Sequence, residues 1–297
     1  LLLWATRMVR TGILRAFGSQ VRAWLGRSTR SRPTAFLMGL GVTGLLQSST
    51  ATALLIMSFA SRGLVAVAPA LAVMLGADLG STLVVQVLSF DVSALAPALL
   101  VLGVGAFMLS SVARGRQIGR ILIGLGLMLL SLQLIVDASA PLRDSATLRM
   151  VLGSLSADPI LALLLGALLA WCAHSSVAVV LLIMSLSVGG VVPVDLGIAL
   201  VLGANVGSGL IPFFLSLSGD PVSRRVPLGN LAFRAIGAIA VLPVAELAMP
   251  TIAMLGEAPA RQIANFHSVF NLALAAVFLP LTGVAARLTA RALPERE

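Results

Sequence analysis

Tyrosine and lysine are absent from this chain, cysteine occurs once, and charged residues make up only 10% of it. Each scarcity excludes something. A soluble domain carries about 25% charged residues, so this chain cannot cover a surface in water. The lone Cys172 rules out an internal disulfide and reads as a small core residue. The net charge is +9 and every basic residue is Arg, placed in short runs between apolar stretches. A nucleic-acid interface needs such charges on a soluble face with aromatic residues nearby, so nucleic acid is not an expected partner. No Walker loop and no G-x-S-x-G elbow occur, which argues against ATP-driven transport by this chain and against a hydrolase. No enzyme is expected. No cleavable signal peptide is evident, and the chain opens on Leu1 rather than Met, leaving room for upstream residues.

What is present is apolar. Hydrophobic residues make up 59% of the chain and the mean hydropathy is +1.06. Stretches of about 20 apolar residues recur along it, the mark of a polytopic, all-α membrane protein. Two of these regions are copies of each other. Gly39–Leu83 aligns without gaps onto Gly166–Leu210 at a constant offset of about 127 residues, with roughly 19 identities in about 45 positions. Ser48-Ser49 falls on Ser175-Ser176, and Gly76-Ala77-Asp78-Leu79-Gly80-Ser81 falls on Gly203-Ala204-Asn205-Val206-Gly207-Ser208. Chance similarity of apolar sequence does not keep polar and glycine positions in register.

Within each copy the pattern predicts two short arms, Pro33–Leu46 and Ala51–Ala60 in the first, around a polar tip. At 1.5 Å per residue neither arm crosses a hydrocarbon core of about 30 Å, so a re-entrant hairpin is expected. Next comes a transmembrane helix broken at the Gly-Ala-Asp-Leu-Gly-Ser-Thr run, because glycines and small polar groups at that depth imply a cavity. Plain spans follow at Val92–Val112 and Ile118–Val136, and the chain closes with spans near Leu228–Ala248 and Ile263–Ala286. One broken helix and two spans make an odd number of crossings, so the copies have inverted topology, as in many secondary transporters. Residues 1–32 form an N-terminal amphipathic helix or the remnant of a longer first helix. Residues 33–137 form the first transport unit, 138–157 an extracytoplasmic linker, and 158–297 the second unit. This topology leaves about 17 Arg on the cytoplasmic side and about 3 outside. The inside group runs from Arg7, Arg10 and Arg15 through Arg27, Arg30 and Arg225 to Arg296, with Arg234 near the interface. Arg143, Arg149 and Arg261 lie outside.

The tips suit an anion. A helix starting after Ser49 or Ser176 presents free backbone N–H groups and a positive dipole end, and serine hydroxyls add donors without charge. Small residues can also serve only close helix packing, but two Ser pairs at equivalent positions favour a binding site. Cations need oxygen ligands, which Thr43, Asp78, Ser81, Thr82, Asn205 and Ser208 could supply together with carbonyls freed at the breaks. Asp78 is the acidic residue placed deep in the membrane, able to ligate sodium, carry a proton, or pair with Arg62 or Arg234. His174 occupies the slot of Gln47, as a satisfied core residue or as a substrate or pH-sensing group. It is far short of a transition-metal site. Asn265, His267 and Asn271 add a polar patch in the last span, explained by default as hydrogen bonding between helices.

At Gln47-Ser48-Ser49-Thr50, Gly203-Ala204-Asn205-Val206-Gly207-Ser208 and Asn265-Phe266-His267-Ser268-Val269-Phe270-Asn271 the chain resembles the type II sodium/phosphate cotransporter family and its bacterial members. The resemblance implies a sodium-coupled symporter of inorganic phosphate working by alternating access in the bacterial cytoplasmic (inner) membrane, with N-terminal basic segment and C-terminus cytoplasmic. It implies phosphate ligands at Ser48, Ser49, Ser175 and Ser176, supported by Gln47, Thr50 and His174. Sodium would be the coupling ion, with no other cofactor. The expected partners are phosphate, sodium and the bilayer, and a homodimer is compatible with the pattern. The chain departs from the family pattern in having His174 for Gln, Val177 for a hydroxyl and Asp78 for Asn, which leaves fewer neutral donors and more titratable groups. The PhoU-like domain of some bacterial relatives is not among these residues. The alternatives are a proton-coupled phosphate carrier or exporter titrating Asp78 or His174, a sodium/dicarboxylate carrier and, from another class, a non-transporting membrane scaffold.

Overall fold

A computed structural model of the chain describes residues 1–26, 31–90, 94–142 and 145–295. Arg27, Arg30, Arg143 and Arg296, the side chain of Arg149 and the start of the span expected from Val92 lie outside the described residues. Every described element is helical.

Helix α1 (Leu2–Gly26) precedes the duplicated region. Leu2, Ala5, Val9, Ile13 and Val21 form one buried face at helical spacing, and Ala5 and Val9 sit against Gly124. The N-terminal helix therefore packs along the bundle through its first half.

Helices α2 (Arg32–Leu46) and α3 (Ser49–Ser61) are the two expected arms, repeated as α8 (Pro159–Ala173) and α9 (Ser176–Val188). The same local chemistry starts and stops each pair. Ser31 caps α2 by accepting from Thr34 N (3.3 Å), and Asp158 at the equivalent position caps α8 by accepting from Leu161 N (3.0 Å). Each first arm ends on a left-handed residue, Gln47 at φ 52° and His174 at φ 54°, a conformation that side-chain-bearing residues seldom adopt. The chain then turns straight into Ser48 and Ser175, which cap the second arms by accepting from Ala51 N (3.2 Å) and Ala178 N (3.1 Å).

Helix α4 (Val67–Leu88) and its counterpart α10 (Val194–Ser216) are continuous. This corrects the expectation of helices broken at Gly76–Thr82 and Gly203–Ser208. The glycines serve close approach instead of a break. A Cβ on Gly39 would lie 1.9 Å from Val73 O, on Gly76 1.9 Å from Phe36 O, and on Gly80 2.5 Å from Leu40 O. In the second copy, Gly166 would meet Leu200 O at 2.1 Å, Gly203 Leu163 O at 1.9 Å and Gly207 Ala167 O at 2.0 Å. Backbone thus packs on backbone at the same three places in both copies. Three hydroxyls on these helices donate to their own backbone: Ser81 Oγ to Asp78 O (2.7 Å), Thr82 Oγ1 to Leu79 O (2.8 Å), and Ser208 Oγ to Asn205 O (3.1 Å). The carbonyls that a break would have freed as cation ligands remain in the helix.

Helices α5 (Leu95–Leu109) and α6 (Ala113–Ser139) pack on each other. Helix α6 is long enough for the expected span Ile118–Val136, whereas α5, at 15 residues, is shorter than the expected span Val92–Val112. After α7 (Ala146–Ser156), which leads into the second copy, the remaining elements are α11 (Pro221–Val241), α12 (Ala245–Met254), α13 (Pro259–Phe278) and α14 (Thr282–Ala292). The last expected span, Ile263–Ala286, is not straight: α13 and α14 meet at a 78° bend around Pro280. Val67–Leu88, Ala113–Leu142, Val194–Ser216 and Pro221–Val244 are long and apolar enough to cross a bilayer. Val101, Met108, Ile160, Leu164, Ile239 and Leu247 are exposed on the outside of the bundle, an apolar surface suited to lipid rather than water.

Candidate functional site

The two tips meet. Gln47, Ser48 and Thr50 from the first and Ala173, His174 and Ser175 from the second line one cavity of about 280 Å³. Five of the seven residues expected to bind the anion are therefore brought together. Ser49 and Ser176, expected as direct ligands, are buried in the first turns of α3 and α9 and do not line the cavity. In the first tip the cap Ser48 and Thr50 line the cavity on either side of the buried Ser49; of the equivalent residues in the second only the cap Ser175 does, and both Ser176 and Val177 are buried.

The remaining walls were not foreseen. Helix α1 contributes Leu3, Thr6, Arg7 and Arg10, and α10 contributes Ile211 and Leu215. Arg10 Nη1 donates to Ser48 Oγ at 3.2 Å. The sequence marks Arg7 and Arg10 only as charges on the cytoplasmic side; the structure places both in the cavity wall. No carboxylate lines the cavity among the described residues, so two guanidinium groups set its field. Ser48 Oγ, which accepts from Ala51 N and from Arg10, keeps its own proton to donate. Ser175 does likewise with Ala178 N. His174 directs Nδ1 to Cys172 O (3.2 Å), leaving the other side of its ring for the cavity. Gln47 Oε1 is buried with no hydrogen-bond partner among the described residues, an unmet demand at the site itself. The chemistry on offer is a concave, cationic chamber rimmed by hydroxyls and two helix N-termini, which suits a small oxyanion.

A second polar centre lies where α4, α10 and α11 cross. Arg234 of α11 forms a buried ion pair with Asp78: Nε donates to Oδ2 at 3.0 Å and Nη2 to Oδ1. Its Nη1 donates to Asn205 O at 2.6 Å and also to Ser208 Oγ. Asn230, with its amide oriented nitrogen-first, donates to Asp78 Oδ2 at 3.1 Å. Of the residues expected to hold a cation, Asp78, Asn205 and Ser208 are thus gathered, but around a guanidinium. Arg234 is 2% exposed, so it belongs to the core and not to the interfacial charge count. The other three expected cation ligands sit apart from it. Thr43 Oγ1 lies 2.6 Å from Thr52 Oγ1 and ties the arms of the first hairpin together, while Ser81 and Thr82 bond to their own helix. In the last span, Asn265 Oδ1 accepts from Gln86 Nε2 of α4 (3.1 Å) and Asn271 bonds within its own helix. His267 is fully buried with neither ring nitrogen partnered among the described residues.

Residues 1–137 and 142–290 match the family described as Na+/Pi-cotransporter. The "Putative inorganic phosphate export protein YjbB" of Escherichia coli (strain K12) is 42% identical over 97% of this chain and 53% of its own length. The protein of the same name from Salmonella typhimurium is 40% identical over 98% of this chain and 54% of its own length. The "Uncharacterized protein YqeW" of Bacillus subtilis (strain 168) is 28% identical over 97% of this chain and 94% of its own. The chain thus spans about half the length of its enterobacterial relatives. No solved structure matches it. A family match covering both tips, both glycine runs and the α1 arginines leaves one conclusion: the chain belongs to the Na+/Pi-cotransporter family.

Proposed function

We propose that this integral membrane protein carries inorganic phosphate across the bacterial inner membrane by alternating access, with the cavity between the two tips as the phosphate site. The observation that carries the reading is the convergence of Ser48 and Ser175, from equivalent helix starts, on a chamber that also holds Arg7 and Arg10 and no described carboxylate. Phosphate is bound best by fork-like guanidinium donors and by hydroxyl and backbone donors at helix N-termini. Short arms α2–α3 and α8–α9 act as re-entrant hairpins, and the two copies are inverted across the membrane, so that rocking of one against the other opens the cavity to alternate sides. The N-terminal helix and the C-terminus lie on the cytoplasmic side.

Sodium is the coupling ion that the family description suggests. One observation favours a second reading, phosphate movement without sodium, as in export. Three of the oxygen donors that a coupling ion would use are engaged by Arg234. The name of the Escherichia coli relative points the same way.

The test is labelled-phosphate movement in proteoliposomes of the purified chain, with an inward sodium gradient, an outward one, or none. Phosphate-specific movement blocked by arsenate supports the substrate. Movement of succinate in its place would return the chain to the dicarboxylate reading, and no anion movement by folded protein would leave the scaffold reading.

A further inference from the structure

We infer that Arg234 is a tethered cation that fills the oxygen-donor site around Asp78, so that this site takes no coupling sodium. The functional meaning rests on the transport reading above, whereas the test does not.

The donors that converge here are the set a hard cation would choose: a carboxylate (Asp78), a backbone carbonyl (Asn205 O, 2.6 Å from Nη1) and a hydroxyl (Ser208). Asp78 and Asn205 are equivalent positions of the two copies, so the centre sits on the internal repeat, where an ion shared by both copies would lie. Arg234 reaches it from α11 and satisfies three donors at once. Guanidinium stays charged under all physiological conditions. Asp78 is the one buried acid among the described residues, so the centre is neutral with Arg234 in place. The other groups near it, Asn230 from α11 and His267 from α13, bring no negative charge. A sodium ion entering would set two positive charges against one carboxylate in a low-dielectric interior, which is strongly unfavourable. The ion gradient therefore has no purchase at this centre. Arg234 instead clamps α4 of the first copy to α10 of the second. Ser208 lies three residues before Ile211 of the tip cavity, about 4.5 Å along the helix axis.

The experiment is thermal unfolding of the purified full chain in detergent, in sodium chloride against choline chloride at equal ionic strength. No phosphate is present, so the outcome is independent of substrate. The wild type is expected to unfold at the same temperature in both salts. Arg234→Ala leaves Asp78 unpaired and is expected to unfold earlier, with sodium but not choline raising its midpoint by about 4 °C or more. The double variant D78N/R234Q, which removes both charges, is expected to fold and to show no sodium response. A sodium-specific rise in the wild type that is lost in D78N/R234Q would overturn the assignment, as would a folded Arg234→Ala protein indifferent to sodium. If Arg234→Ala does not fold, the wild type and the double variant decide. Equal midpoints in both salts for each support the assignment, and so does a sodium response common to both, which puts the ion elsewhere.

Discussion

The two copies share their packing and differ in their chemistry. Gly39, Gly76 and Gly80 make the same backbone approaches as Gly166, Gly203 and Gly207, and both tips turn on a left-handed residue followed by a capping serine. Yet the first tip offers Gln47 and Thr50 where the second offers His174 and Val177, and the first glycine run carries Asp78 where the second carries Asn205. The charges that complete each centre come from outside the aligned copies: Arg7 and Arg10 from α1 at the tips, and Arg234 from α11 at the crossing. Duplication built a symmetric frame, and flanking helices with unmatched residues made it chemically one-sided.

The largest effect should come from breaking the shared packing. A Cβ at Gly203 has no room beside Leu163 O, and Gly203→Ala is expected to lose several kcal/mol and most of the folded yield. Gly76→Ala should do the same in the first copy. Gly41, where a Cβ meets nothing within 4 Å, is the control. Gly41→Ala should leave the unfolding midpoint unchanged or raise it, by up to about 1 kcal/mol of helix propensity. Detergent melting curves read all three.

Next in size is the loss of charge at the tips. Removing a charge-assisted hydrogen bond costs about 1.5–3 kcal/mol, so Arg10→Gln should weaken phosphate binding by about 10- to 100-fold, with Arg10→Lys in between. Titration calorimetry on the folded variants checks this. An unchanged affinity would remove α1 from the site.

Much of this comparison was legible in the sequence. The fixed offset revealed the copies, and the apolar runs beside Gln47-Ser48-Ser49-Thr50 marked short arms and tips because helix caps and arm lengths are local properties. The sequence misled where tertiary contact decides. Glycines at 76, 80, 203 and 207 read as breaks, but they lie in unbroken helices because a facing backbone occupies the space that a side chain would need. Arg10 reads as a cytoplasmic charge because nothing in its neighbours shows that α1 lies against the tips. One signal was available: apolar residues at 2, 5, 9 and 13 mark a packed face. Arg234 as the partner of Asp78 was one of three roles the sequence left open. Choosing it needed the crossing of α4, α10 and α11.

A finer contrast separates residues within one tip. Ser48→Ala and Ser175→Ala remove hydroxyls that face the cavity and should each reduce phosphate affinity by about 5- to 10-fold, the worth of one ordinary hydrogen bond. Ser49→Ala and Ser176→Ala, whose side chains are buried away from it, should change affinity less than about 3-fold. Equal effects at all four would mean that the tips rotate when occupied. The smallest effect lies in the backbone. Replacing His174 with Gly relieves a left-handed conformation and should stabilise the fold by about 1 kcal/mol while removing a cavity group.

The central claim is that equivalent serines of the two copies hold one phosphate between them. It is tested most directly by labelled-phosphate exchange in proteoliposomes bearing the wild type or the S48A/S175A double variant, matched for inserted, folded protein. The double variant, which also loses two helix caps, is expected to fold with lower stability and to exchange phosphate at least about 10-fold more slowly at subsaturating substrate. Exchange at the wild-type rate would contradict it and move the phosphate site away from the tips.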